Sequence, residues 1–271
     1  NMITFLFHSN LYGKFVKLLN RQKINHIIAV RNDRLSKRTS KLSKFRTWIF
    51  EYFIIDKQSI IIFNSFIGQK KFNIGKKYHQ KVIVNSPTNV PDFSLKKNKQ
   101  FIYVGRLDEL KNTTELVKAI NHLSSKYNEI TLDIFGTGPN YQFIKKYIEA
   151  NKLANNISLC GVDSDISNRL YQYDCLILSS THEGFPNVLI EAMNSKINCI
   201  STKVGDAPYL LEKDRGILIE GFDFLSIADS IEKYIELDET KKEEMIENSY
   251  EFITKNLNQD DILSNWLKLI I

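Results

Sequence analysis

Two kinds of apolar pattern alternate along this chain. Short continuous runs at residues 101–104, 131–135, 157–160, 175–179 and 197–201 lack the two-fold alternation of a half-exposed strand. Such runs read as strands buried on both faces, the mark of a parallel sheet. Between them, apolar residues recur at helical spacing over 115–126, 141–152, 168–173 and 188–194. Strand, helix, strand in short repeats predicts βαβ units and a doubly wound α/β domain.

The first third is less regular. Strands are predicted over 3–7, 26–30, 59–63 and 82–84, with helices over 11–19 and 67–74. On the first of these helices Phe15, Leu18 and Leu19 are expected to face inward. Residues 85–99, with Pro87 and Pro91 among Asn and Lys, read as a connection. The pattern therefore predicts an incomplete Rossmann-like domain over 1–95 and a complete one over 96–255. A closing helix over 256–271, carrying Ile262, Trp266, Leu267 and Leu269, is expected to pack back towards the first domain.

Charge sharpens that division. Residues 1–95 hold 17 Lys and Arg against 4 Asp and Glu, whereas the remainder is acidic on balance, within a total of +6. A split this steep points to two units, the first facing an anionic partner. Residues 31–46 concentrate Arg31, Arg34, Lys37, Arg38, Lys41, Lys44 and Arg46 against Asp33, with Leu35, Leu42, Phe45 and Ile49 on one helical face. A basic face beside an apolar one suits a helix lying on an anionic membrane surface, and equally a solvated face over a buried stripe. The usual nucleic-acid motifs are not found, so no nucleic-acid partner is expected.

Composition removes other classes. With 43% hydrophobic and 25% charged residues the chain is globular in type. Cys160, Cys175 and Cys199 form no CxxC pair and fall in apolar runs, so they read as small buried hydrophobes in a reducing compartment. The longest apolar stretch, 48–62, is broken by Glu51, Asp56 and Lys57, short of the ~20 clean residues of a membrane span. No signal peptide is expected. Opening on Asn1 is what a chain with residues missing upstream would show.

Ligands of doubly wound domains bind at the carboxyl ends of the strands. After 101–104 comes Gly105-Arg106, then Lys111-Asn112, two cations five residues apart that can converge on a diphosphate. After 131–135 comes the tight turn Gly136-Thr137-Gly138-Pro139, which is not a GxGxxG fingerprint. After 157–160 the loop 161–165 exposes backbone around Val162. After 175–179 comes the densest segment, His182-Glu183-Gly184-Phe185-Pro186-Asn187-Val188, with Glu191 two turns further on. Pro186 is expected in the first turn of a helix, leaving the N–H groups of Asn187, Val188 and Leu189 free to meet a phosphate. One carboxylate can accept from a sugar's hydroxyls and the other from a ribose.

Glu183 and Glu191, with seven residues between them in Glu-Gly-Phe-Pro-Asn-Val-Leu-Ile-Glu, resemble the E-x7-E motif of retaining GT-B glycosyltransferases of family 4. Gly105-Arg106…Lys111-Asn112 resembles that family's phosphate-binding stretch, and Val204-Gly205-Asp206-Ala207-Pro208 its VGG-x-PE segment, with Asp206 for the second Gly and Tyr209 for the Glu. The likeness is firm over about residues 99–220. Phe7-His8-Ser9-Asn10 resembles the family's strand-end HxH segment, with Asn10 in place of the second His. Because His8 is nearly at the start, the family's first strand and Gly-rich loop are expected to be missing, and the amino-terminal lobe to be shortened or truncated.

The resemblance implies roles. Glu183, His8, Arg106 and Lys111 would be catalytic. Gly105, Arg106, Lys111, Gly136, Gly138, Val162, Glu183, Gly184, Phe185, Pro186, Asn187, Val188 and Glu191 would bind the donor. Tyr12, Arg31 and Asn32 are candidates for the acceptor cleft. No metal and no cofactor are expected, the nucleotide sugar being a substrate. The implied activity is transfer of a sugar, from a UDP-sugar first among donors, to a saccharide or lipid-linked acceptor with retention, in cell-surface polysaccharide synthesis. The implied location is cytoplasmic, peripheral on the inner face of the plasma membrane. Two other readings stand beside it: a GT-B nucleotide-sugar epimerase, and a non-catalytic donor-binding subunit whose missing lobe comes from a partner chain.

Overall fold

The computed structural model describes residues 2–19, 24–30, 48–49, 53–55, 59–72, 78–91, 93 and 99–271. The chain divides into two compact units, Asn1–Asn85 with Asp260–Ile271, and Ser86–Gln259. The basic segment 31–46 lies outside the described residues, as do Arg31 and Asn32.

The first unit is built on four parallel strands in the order β1-β2-β3-β4: β1 Met2–Phe5, β2 His26–Val30, β3 Ile60–Phe63 and β4 His79–Val82. β2 and β3 are rich in β-branched residues and almost wholly buried, which fits central parallel strands. Helix α1, Leu6–Leu19, follows β1 directly, and α2, Phe66–Phe72, follows β3.

Two expectations fail on α1. Phe15, Leu18 and Leu19 are 47%, 61% and 84% exposed rather than inward. The helix instead meets the sheet through Asn10 and Gly13. The Thr4 hydroxyl donates to Asn10 Oδ1 at 2.7 Å and also meets His26 Nε2 at 2.7 Å. A Cβ on Gly13 would stand 2.7 Å from that ring nitrogen, so only glycine permits the approach. The expected strand end around His8 is also helical: β1 stops at Phe5, and His8 lies exposed in the first turn of α1.

The second unit carries six parallel strands in the order β10-β9-β8-β5-β6-β7: β5 Lys99–Val104, β6 Leu132–Phe135, β7 Ile157–Gly161, β8 Tyr173–Leu178, β9 Asn198–Thr202 and β10 Ile217–Ile219. Between them run α3 Thr113–Ser124, α4 Tyr141–Ala150, the 3₁₀ helix Ile166–Gln172, α5 Asn187–Asn194 and α6 Ala207–Leu211. Helices α7, Phe224–Ile235, and α8, Glu239–Asn256, complete it. Leu116, Ile120 and Leu123 of α3 and Ile227 and Ile231 of α7 close over Phe101, Ile134, Cys175 and Ile200 of the sheet. β7 departs from the expected two-sided burial because it is an edge strand, and Cys160 on it is exposed.

Helix α9, Gln259–Ile270, lays Ile262, Trp266 and Leu269 on the first unit's cluster of Ile27, Ile62 and Ile83. Trp266 meets Phe5 with ring centroids 6.3 Å apart, and Lys81 Nζ donates to Asn265 Oδ1 at 3.2 Å.

Candidate functional site

Strand order places the site. From β5 the chain winds outward through β6 and β7, and from β8 it winds the other way through β9 and β10. β5 and β8 are therefore the neighbours at which the winding reverses, where a parallel sheet opens a crevice at its carboxyl ends. The two loops leaving that point are Gly105–Asn112 and Ser179–Pro186, both of which the sequence singles out.

They are tied together. Thr181 N–H donates to Leu110 O at 2.8 Å, and the Ser179 hydroxyl to Lys111 O at 2.9 Å. Across this seam Lys111 Nζ pairs with Glu183 Oε1 at 2.5 Å, and the buried Ser180 hydroxyl donates to the same oxygen at 2.7 Å. The lysine and glutamate side chains are 28% and 14% exposed, so the pair is partly withdrawn from water. Thr202 on β9 donates to Ser180 O at 2.5 Å, fixing the loop from behind.

Arg106 behaves differently from Lys111. Its side chain is 67% exposed, and its guanidinium grips Asp108 through Nε at 2.6 Å and through Nη2. Burial works to raise the Asp108 carboxyl, but the Arg106 guanidinium and the Lys111 backbone N–H outweigh it and hold it below the usual range. Each of the two expected diphosphate cations therefore rests on a carboxylate.

Helix α5 follows the second loop. Pro186 precedes it by one residue instead of opening it, in an extended conformation. The Leu189 N–H turns back to Pro186 O at 3.1 Å, so it is not free as expected; Asn187 and Val188 are the other donors of that first turn. Phe185 and Pro186 are buried, and Asn187 is exposed. Glu191, half-buried, accepts from the Ser167 hydroxyl at Oε2, 2.8 Å away. Burial pushes its carboxyl above the ordinary value, partly offset by that hydrogen bond.

The glycines separate into two groups. Cβ atoms on Gly136 and Gly138 would lie 1.9 Å from Gly105 O and 2.4 Å from Leu107 O, so these residues are glycine because neighbouring loops press on them. Gly105 sits similarly against the Tyr103 hydroxyl, at 2.9 Å. At Gly184 and Gly161 a Cβ would meet nothing within 4 Å, which leaves backbone open to a ligand. Val162, beside Gly161, is 75% exposed.

Three residues with no sequence signal support the site. Ser180, Ser167 and Asp108 hold Glu183, Glu191 and Arg106. Gly205 has φ +50°, and a Cβ there would reach 2.1 Å from Gly184 O. Asp206, in place of the family's second glycine, is buried and donates its N–H to Gly184 O at 2.9 Å. Tyr209 meets Phe252 edge to face with centroids 5.4 Å apart. Tyr12, in the first unit, is 73% exposed. Among the described residues no group of three or more His, Cys, Asp or Glu is placed to hold a metal ion.

The profile of the family described as glycosyl transferases group 1 matches residues 87–252. The chain belongs to that family. This group 1 chain is 28% identical over 181 residues to poly(glycerol-phosphate) alpha-glucosyltransferase of Bacillus subtilis, covering 66% of this chain and 26% of that protein. It is 29% identical over 182 residues to the Campylobacter jejuni alpha-1,4-N-acetyl-D-galactosaminyltransferase acting on a diNAcBac-PP-undecaprenol-linked glycan, covering 66% of this chain and 50% of the other. It spans about a quarter to a half of the length of the curated relatives it matches. Among solved structures, Anabaena HepE in complex with UDP superposes with a TM-score of 0.82 at 19% identity, over 99% of this chain and 78% of that one. Staphylococcus aureus TarM, in a complex with UDP and saccharides, superposes at 0.75 and 19% identity, over 98% of this chain and 55% of that one. At these identities the structures establish the GT-B fold, with its two parallel-sheet units.

Proposed function

We propose that this chain carries the donor site of a glycosyltransferase that moves a sugar from a nucleotide sugar, a UDP-sugar by preference, to a saccharide or lipid-linked acceptor in cell-surface polysaccharide synthesis. The observation that carries the reading is the Lys111–Glu183 pair at the reversal of the sheet, with a second hydrogen-bonded carboxylate, Glu191, on the helix that follows. The UDP held by HepE and TarM supports the choice of donor, and the names of the relatives support sugar transfer to a polymer or lipid-linked acceptor.

On binding, Lys111 exchanges the Glu183 carboxylate for the donor diphosphate, and Arg106 adds its exposed guanidinium. Both offset the charge that grows on the leaving nucleoside diphosphate. Glu183, released from the lysine, accepts from a hydroxyl of the donor sugar. Glu191 accepts from the ribose hydroxyls, and the first turn of α5 meets the distal phosphate. The C1–O bond to phosphate breaks as the bond to the acceptor oxygen forms on the same face, and the acceptor hydroxyl's proton passes to the departing phosphate oxygen, so configuration is retained. The reading needs no metal or cofactor, and it assigns His8 no step.

The test is calorimetric titration of wild type and Glu191→Ala with UDP, UDP-glucose and UDP-N-acetylglucosamine, followed by product analysis with saccharide and lipid-linked acceptors. Wild type should bind, and the variant should lose about 10- to 100-fold in affinity. Binding by neither, or equally by both, refutes the site. Conversion of the donor sugar without acceptor would mean an epimerase. Binding without transfer, restored by a second polypeptide, would mean a donor-binding subunit.

We also place the basic amino-terminal third against an anionic membrane surface on the cytoplasmic side. Among the described residues no helix is long and apolar enough to cross a membrane. Co-sedimentation with phosphatidylglycerol vesicles should be lost on charge reversal at Lys37, Arg38, Lys41 and Lys44; unchanged binding would reject the placement.

A further inference from the structure

Behind the second carboxylate lies an amide that the sequence pattern does not announce. Asn89 belongs to the irregular stretch leading into the second unit, yet it is 93% buried, since only 7% of it is exposed. Its Nδ2 carries two N–H donors, shared among three acceptors: Ser195 Oγ at 2.7 Å, Glu191 O at 3.1 Å and Ser167 O at 3.1 Å. Asn194 Nδ2 holds the same residue from the other side, donating to Asn89 Oδ1 and Asn89 O at 3.1 Å each. Asn168 Oδ1 accepts from the Val90 N–H at 2.9 Å.

Two of those acceptors matter together. Ser167 and Glu191 are the partners of the 2.8 Å hydrogen bond that orients the Glu191 carboxylate. They lie on different elements, the 3₁₀ helix and α5, and one amide bonds the backbone carbonyl of each. Asn89 therefore sets the spacing between the hydroxyl that aims the carboxylate and the helix that carries it. A carboxylate aimed by one hydroxyl loses its fixed orientation when that spacing relaxes, and small displacements of a positioned group are costly in binding.

We propose that Asn89 is a positioning residue for nucleotide binding: it acts through Ser167 and Glu191 to fix the group that accepts the ribose hydroxyls. The inference rests on the donor-site reading above. Its distinctive consequence is that the effect falls first on the ribose, because Asn89 bonds the 3₁₀ helix and the carboxyl-terminal half of α5, away from that helix's first turn, and makes no hydrogen bond to Lys111 or to the loops proposed to hold the diphosphate.

The experiment titrates wild type, Asn89→Ala, Asn194→Ala and Glu191→Ala with UDP and with 2′,3′-dideoxy-UDP, and records thermal unfolding of each. Wild type should prefer UDP over the dideoxy compound by about tenfold or more, and Glu191→Ala should abolish that preference. Asn89→Ala should weaken UDP about tenfold while leaving dideoxy-UDP within about twofold, so that its preference collapses. Asn194→Ala keeps the amide but loosens it, and should shift the preference in the same direction by less; it also serves if Asn89→Ala fails to fold. An unchanged preference in both Asn variants, or equal loss of both ligands, overturns the inference. If wild type binds UDP without preferring it to the dideoxy form, or Glu191→Ala keeps the preference, the ribose assignment of Glu191 falls instead, and the positioning role with it.

Discussion

Replacing Lys111 by Met removes the ammonium from the crevice while keeping most of the aliphatic stem, and the geometry of the pair sets the size of the loss. At 2.5 Å and an effective dielectric constant of about 20, the gross attraction between Lys111 and Glu183 is about 7 kcal/mol. Most of that is returned as the cost of withdrawing both charges from water. Breaking a fully buried pair costs about 3–5 kcal/mol, whereas an exposed pair is worth about 0–1. With side chains 28% and 14% exposed the pair lies between these limits, so Lys111→Met should cost about 1–3 kcal/mol. Glu183→Gln keeps an oxygen able to accept from the Ser180 hydroxyl, so a double-mutant cycle in urea isolates the charge interaction, at about 1–2 kcal/mol. The same Lys111→Met variant should bind UDP at least about tenfold more weakly, because the cation is the one proposed to move onto the diphosphate. A coupling below about 0.3 kcal/mol together with unchanged UDP affinity would refute both the energetic argument and the exchange of partners.

Two glycines and one carboxylate give further tests. Gly205→Ala should lose about 2 kcal/mol or more in denaturant unfolding, because φ is +50° and the new Cβ would lie 2.1 Å from Gly184 O. Gly184→Ala should stay within about 1 kcal/mol of wild type while weakening UDP-glucose binding several-fold; the reverse ranking in stability would reject this account of the loop. For Glu191, burial raises the folded carboxyl above its unfolded value, so the folded state holds its proton more tightly and loses stability as pH rises through that range. Glu191→Gln should therefore be more stable than wild type at pH 7–8, with the advantage shrinking as pH falls through the carboxylate range, while nucleotide binding drops. A stability difference that grows on acidification would show the sign to be wrong.

Much of the second unit is legible from local pattern. The runs around Phe101, Ile134 and Leu176 become strands because they are apolar on both faces, and the helices between them keep their predicted register to within two or three residues. The local pattern leaves unassigned β10, which has three residues, α8, which buries only Met245, Ser249 and Ile253 of eighteen, and also α7, although its buried Ile227, Ile231 and Tyr234 fall at helical spacing. In the first unit the periodic reading failed on α1. Phe15, Leu18 and Leu19 make a convincing apolar stripe, but Gly13 admits the helix to the sheet on its other side, where the Thr4 hydroxyl bonds both Asn10 and His26.

The sequence by itself singles out the two loops proposed to hold the donor, because Gly105 to Asn112 and Glu183 to Glu191 are contiguous blocks whose residue types suit a diphosphate and sugar hydroxyls. The tertiary structure alone decided how they are used. Lys111 meets Glu183 across 72 residues of chain, since strand order makes β5 and β8 neighbours, and Arg106 turns to Asp108 instead. Ser167 and Asn89 reach Glu191 from 24 and 102 residues away. Local pattern records which backbone conformation a segment prefers over three or four residues. A hydrogen bond between distant segments depends on how the strands are ordered and how the helices pack, and no window along the chain contains that information.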